Sequence, residues 1–313
     1  MKTVTNTALQ ASLRNPTAYS DLKSILEFVE GPGKRFYVHA TKGSSSYEGS
    51  KDAPFASINT AIAACTANQG DVIFVMPGHV ESLGSGETID FDVAGVTCIG
   101  LGHGVAKPRI DYDHANGAID IGANSVWLEN IQLRPSVTVV AIGIDVEAGV
   151  TDTMLKDIEF VPGEAGDGTD EFVIGIDIKA GCTRTQIHGL RYSHHASAGG
   201  PTHAVKLTGA SDLVEIKRFS IHISGGAAVA GIGGISTLST RMLIEDGDIT
   251  SGGQPGIEML TGTTGTIRDV HIFSNLGTID ASTVADGMSH DNVRYTEVGN
   301  EASTIVKTES ADD

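Results

Sequence analysis

An all-β chain, a single-stranded right-handed parallel β-helix with an N-terminal capping helix and an N-terminal arm, is the fold this sequence predicts, and three observations predict it. A six-residue unit, apolar-x-x-apolar-x-apolar, returns six times along the chain. An alternating strand precedes most copies of that unit. Glycine is abundant, 39 of 313 residues, while aromatics make up only 5%, a composition that suits many short strands joined by turns.

Taken in order, residues 1–35 differ from the rest. Leu22, Ile25, Leu26 and Val29 fall on one helical face of DLKSILEFVE, Asp21 favours the helix start, and Gly31-Pro32-Gly33 stops it. This reads as an arm with a short amphipathic helix that must bury its stripe against something. Residues 36–70 bring an entry strand around Phe36-Tyr37-Val38 and a Gly/Ser turn from Lys42 to Gly49. A capping helix over 54–67 follows, with Ile58, Ala61, Ile62 and Cys65 on its apolar face. The run Val72-Ile73-Phe74-Val75-Met76 then opens residues 71–300, read as the solenoid, and residues 301–313 are read as a polar tail.

The repeat appears as Leu128-Glu-Asn-Ile131-Gln-Leu133, Leu155-Lys-Asp-Ile158-Glu-Phe160 and Ile187-His-Gly-Leu190-Arg-Tyr192. It returns as Ile216-Lys-Arg-Phe219-Ser-Ile221, Ile244-Glu-Asp-Gly247-Asp-Ile249 and Ile267-Arg-Asp-Val270-His-Ile272, with first positions 27, 32, 29, 28 and 23 residues apart. Its third position holds Asn130, Asp157, Gly189, Arg218, Asp246 and Asp269, five of them residue types that tolerate a left-handed backbone. The unit is therefore a strand, a one-residue bend and a new strand. Ahead of it lie Ile119-Asp-Ile121, Ile144-Asp-Val146, Ile176-Asp-Ile178, Val205-Lys-Leu207 and Ile257-Glu-Met259. Three short strands per repeat and no helix stack as a parallel β-helix of about eight coils. The irregular spacing excludes a leucine-rich or hexapeptide pattern.

Composition also excludes functions. With Lys+Arg 21 against Asp+Glu 39, a net charge of −18, a broad basic face for nucleic acid or anionic membrane is ruled out, and no stretch approaches the apolar length of a membrane span. Cys65, Cys98 and Cys182 form neither a disulfide framework nor a metal clamp. The first residues carry no apolar core of signal-peptide type, so synthesis in a cytoplasm without export is expected.

Tyr37-Val38, the turn to Gly49, Ala53-Pro54-Phe55-Ala56-Ser57-Ile58-Asn59-Thr60-Ala61-Ile62 and Gly70-Asp71-Val72-Ile73-Phe74-Val75-Met76-Pro77-Gly78-His79-Val80-Glu81 together resemble the entry segment of pectin-lyase-like right-handed β-helix proteins. The resemblance covers about residues 36–300. That superfamily holds polysaccharide lyases and hydrolases, phage tailspikes and non-catalytic phage virion proteins, so the fold does not choose among them. The arm and the missing export signal favour its phage virion branch, decoration or tailspike-like. On this reading the chain is a non-enzymatic capsid decoration protein on the virion surface, made in the host cytoplasm. It would attach through Leu22, Ile25, Leu26 and Val29, and its partners would be its own copies, as a homotrimer, and other virion proteins. The alternatives are a polysaccharide lyase or glycoside hydrolase, or a fibre module that holds host-surface glycan without cutting it.

Two constellations could carry chemistry. Asp120, Asp145 and Asp177 share one repeat position, expected to point outward at about 4.8 Å per coil, near the carboxylate separations of glycosidases. They are weak catalytic candidates against a solvated strand face that Lys206 continues. The resemblance adds a Ca²⁺ ion as the one cofactor this column would take, since such lyases bind it with carboxylates on adjacent outer rungs. The second is a pair of loops, one with Glu164, Asp167 and Asp170, the other with His194, His195 and His203, read as places for a ligand or partner contact. Tyr192 is expected inside, and Trp127 at the outer surface or a bend.

Overall fold

The computed structural model describes residues 33–163, 170–195, 201–224, 230–234, 238–251, 255–260, 262–274, 288–297 and 304–306. The arm with Leu22, Ile25, Leu26 and Val29 lies outside them, as do Glu164 and Asp167. Parallel strands stack into a solenoid with three faces. Two faces form one 17-stranded sheet and the third a seven-stranded sheet. Among the described residues the third face holds seven strands, and the helix Ile58–Ala64 takes that position in the first coil.

The repeat unit is the corner between the first two faces. Asn130, Asp157, Gly189, Arg218, Asp246 and Asp269 all have left-handed backbones, with φ between 51° and 75°. Even Arg218 does so, because the stack forces the corner on whatever residue stands there. The first positions pair in register from Leu128 through Leu155, Ile187, Ile216 and Ile244 to Ile267. The last positions pair from Leu133 through Phe160, Tyr192, Ile221 and Ile249 to Ile272. Both ladders are buried, and each fully buried Ile or Leu contributes about 2 kcal/mol. Where the unit has Gly247, the Phe219 ring from the preceding coil fills the space, so that a Cβ would lie 2.4 Å from it. Tyr112, Phe172, Phe160 and Tyr192 form a run of ring contacts at 4.8–5.2 Å inside the corner between the second and third faces.

A second left-handed column, Ser125, Asp152, Arg184, Leu213 and Arg241, turns the third face into the first. Its mixed residue types hid it from sequence reading. The strand Ala230–Gly234 was missed too, because AGIGG has too few large side chains to show alternation.

The entry motif has a physical basis. Asp71 is buried and accepts from the backbone N–H of Lys34 at 2.5 Å and of Thr66 at 2.6 Å, tying the entry strand to the helix exit. His79 Nδ1 accepts from Ala40 N–H, so its proton sits on Nε2, which donates to Glu81. Glu81 in turn accepts from Ile58 N–H at the helix start, beside the Ser57 N-cap. Asn59 covers the exposed edge of the strand Thr88–Phe91. Its amide donates to Thr88 O and accepts from Asp90 N–H, as a further strand would. At the far end, Thr304–Val306 pairs antiparallel with Val293–Tyr295, so the expected polar tail contributes a strand. Among the described residues no helix is long and apolar enough to cross a membrane.

Candidate functional site: a carboxylate column

On the seven-stranded sheet the outward position next to the core ladder reads Asp90, Asp120, Asp145, Asp177, Lys206, Gly233, Glu258 from coil to coil. The column is one aspartate longer than the sequence pattern suggested, since Ile89-Asp90-Phe91 differs from Ile-Asp-Ile only at its last residue. The expectation of a solvated face is corrected at its centre: Asp145 is 6% exposed and Asp177 only 4%.

What buries them comes from the coil above. Lys179 Nζ lies 2.7 Å from Asp145 Oδ2 and 3.0 Å from Glu147 Oε1. Thr208 Oγ1 donates to Asp177 Oδ1. Both braces stand two residues beyond a column member, on the same outward side of the chain, which strand alternation alone would have revealed. One ligand atom each of Asp120, Asp145 and Glu147 lie within 4.8 Å of one another, and Asp145 Oδ1 is buried with no hydrogen-bond partner among the described residues.

The electrostatics follow. Burial, and then the charges of Asp145, Asp90 and Glu147, push the Asp120 carboxyl up to about 6. Burial also raises Asp145, with Lys179 pulling the other way. Lys179 is held protonated by the two carboxylates despite its own burial. Asp120 thus takes a proton near neutrality, while the Asp145 carboxyl is raised by burial against the pull of the Lys179 ammonium. Three hard oxygen donors and an orphaned Oδ1 are chemistry a Ca²⁺ ion accepts, although Lys179 already occupies Oδ2 and Glu147.

The histidine expectation is corrected as well. His194 and His203 lie in strands and are buried rather than displayed on an exposed loop. His194 Nε2 sits 3.3 Å from Oε2 of Glu171, next to Asp170 in the chain, and burial raises the Glu171 carboxyl. His203 packs its ring over Gly233, and neither ring nitrogen has a hydrogen-bond partner among the described residues. Burial, with Lys206 adding to it, lowers its pKa to about 4 and keeps it neutral. Asp170 is half-buried at the start of the next strand, and the side chain of His195 is outside the described residues. Among the described residues neither His194 nor His203 belongs to a cluster able to hold a metal ion.

The three cysteines are free. Burial pushes Cys65 up to about 12 and Cys98 higher still, so these thiols are unreactive.

No family model and no curated protein matches the chain. Among solved structures, it is similar to a rhamnogalacturonan lyase at 14% identity and a TM-score of 0.49, covering 83% of this chain and 73% of that one. It is also similar to a GH136 lacto-N-biosidase from Eubacterium ramulus at 11% identity and a TM-score of 0.46, covering 92% and 72%. The β-helix assignment rests on the strand registers above, with which these likenesses are compatible. Similarity at this level says nothing of chemistry.

Proposed function

We propose that this chain is a non-enzymatic structural protein of a virus particle surface, a capsid decoration protein whose solenoid is a rigid projecting body attached through its N-terminal arm. The burial of Asp145 and Asp177 at the centre of the column supports the non-enzymatic part. A glycosidic oxygen must come within hydrogen-bond reach of a catalytic acid, yet Asp145 and Asp177 are closed over by Lys179 and Thr208. Each carboxylate is thereby a brace between coils. The virion setting rests on the N-terminal arm expected from the sequence, and assembly as a homotrimer on the resemblance to pectin-lyase-like β-helix proteins. Cryo-EM of the particle that carries the protein tests it. Copies spread over an icosahedral shell, lost when residues 1–33 are deleted, are expected. Copies confined to a tail tip, or retention of the truncated protein on the shell, overturn it.

A glycan-cleaving enzyme is the second reading, favoured by the orphaned Asp145 Oδ1 within the Asp120, Asp145 and Glu147 cluster. Asp120 would serve as the acid and Asp145 as its partner carboxyl, with a Ca²⁺ ion held by the cluster stabilising negative charge. Release of reducing ends or unsaturated products from polysaccharides, assayed with and without Ca²⁺ and abolished by Asp120→Asn, would replace the first reading with this one.

A further inference from the structure

The outside of the first face changes character along the solenoid. Its strands turn Phe36, Val38, Ile73, Val75, Cys98 and Leu128 into the core, and alternation sends their neighbours outward in two columns. One column runs Tyr37, Phe74, Ile99 over the first three coils and then Glu129, Lys156, His188. The other runs Val72, Thr97, Trp127 from the second coil to the fourth. From the fourth coil on, the first column is charged, and Lys156 meets Glu129 at 2.8 Å. Over the first coils it is apolar. Tyr37, Val72, Phe74 and Ile99 are half-buried, the Tyr37 and Phe74 rings lie 5.3 Å apart, and Trp127 is exposed at the far end. Large apolar groups on the outside of a sheet whose later coils carry charge there mark a contact surface.

Where the chain enters names the occupant. The described residues begin at Gly33, two before Arg35, which pairs with Val72 at the foot of the patch. The stripe of Leu22, Ile25, Leu26 and Val29 precedes it, joined through Gly31-Pro32-Gly33-Lys34. Four residues reach about 14 Å at most, so the end of the stripe stays beside the patch. The sizes agree as well. Ten helical residues span about 15 Å, and four stacked coils span about 14 Å. The two columns stand about 7 Å apart, within the ~10 Å width of a helix. The free edge of the entry strand, where an arm would otherwise pair, is already taken. Tyr37 N–H donates to Gly49 O at 2.7 Å, and Phe55 N–H donates to Tyr37 O at 2.8 Å.

We propose that segment 21–30 of the same chain folds back as a helix over this patch, with Val29 beside Tyr37 and Phe74 and Leu22 toward Trp127. Stripe and patch bury one another, while Lys23 and Glu27 keep to water. Seating takes place in the free chain and is independent of any particle. It gives the arm two exclusive states, because a stripe seated on its own solenoid cannot hold a shell at the same time.

Trp127 is the one tryptophan of the chain, so its fluorescence reads the seat directly. In the full chain, Leu26→Asp should move its emission to longer wavelength and raise its acrylamide quenching constant at least twofold. Glu27→Gln, on the opposite side of the predicted helix, should change neither. A dye on Ser24→Cys gives a second reading, with wild type treated alike as background. Energy transfer from Trp127 to the dye should be strong and should persist when labelled chains are diluted among unlabelled ones. Equal quenching in wild type and Leu26→Asp would overturn the proposal. So would transfer that disappears on dilution, which would make a second copy the occupant. Both readings are taken without a particle, so their failure is distinct from a failure of the arm to attach to a shell.

Discussion

On the first face of the solenoid, the outward column Glu129, Lys156, His188, Lys217, Glu245, Arg268 and Asp291 sets acids beside bases on neighbouring coils, except where His188 stands between Lys156 and Lys217. Lys156 meets Glu129 at 2.8 Å, Lys217 bridges Glu215 and Glu245 at 3.0 and 3.6 Å, and Arg268 holds Glu245. On the third face, the same coil spacing stacks Asp90, Asp120, Asp145 and Asp177 with like charges adjacent. The backbone offers both columns the same geometry, so the fold does not impose the repulsion. Only the choice of side chains does. The paired ladder is half-exposed and contributes little per pair. The aspartate column is buried at its centre and depends on a single ammonium from the coil above.

Lys179→Met should break the comparison most severely. It leaves Asp145 and Glu147 without their shared cation, and one of those carboxylates is buried. A loss of about 3 kcal/mol is expected, read as a lower urea midpoint at pH 7. A loss under about 1 kcal/mol would mean the column behaves like the exposed ladder.

Asp120→Asn should act in the opposite direction and stabilise at pH 7 by about 1–2 kcal/mol, since a carboxyl held at about 6 against an ordinary value near 3.9 costs roughly 1.4 kcal/mol per unit before solvent screening. Between those two values the native state binds a proton that the unfolded chain does not. Stability therefore falls as pH rises through that window, and the penalty is full above about 6. His203 works the other way. With its pKa lowered to about 4, it contributes stability that is present above about 6.5 and lost as pH falls toward 4. The two windows overlap, so the informative quantity is the difference between wild type and Asp120→Asn, which should shrink to nothing by about pH 4. A difference independent of pH would place its cause elsewhere than in this carboxyl.

The smallest effect belongs to the paired ladder. Glu245→Gln should cost about 0.5–1 kcal/mol in dilute buffer and less in 1 M salt, where exposed pairs are screened. A cost unaffected by salt would show the ladder to be as sheltered as the column.

Much of this architecture was readable in the sequence because it is local. Ile or Leu at the first and last positions of the unit and a residue tolerant of positive φ between them define a strand-corner-strand within six residues, and the matched units imply stacking. The Asp120, Asp145 and Asp177 alignment was readable for the same reason, whereas the choice for Trp127 between the outer surface and a bend was left to the structure, which exposes it on a strand. The second corner was not, because Leu213 and Arg241 are poor left-handed formers held there only by the coils on either side. Glu147 and Lys179 were overlooked although they sit two residues from column members.

The sequence by itself determined the winding: alternation and corner residues repeat every 23–32 positions, and each copy dictates its own backbone path. Tertiary structure decided which charges meet. Whether Asp145 faces Lys179 or water, and whether His203 ends up displayed or buried over Gly233, depends on the register between coils and on which side chain reaches back across them. Those contacts join residues far apart in the chain, and a low-dielectric enclosure, absent from any single strand, sets their energy.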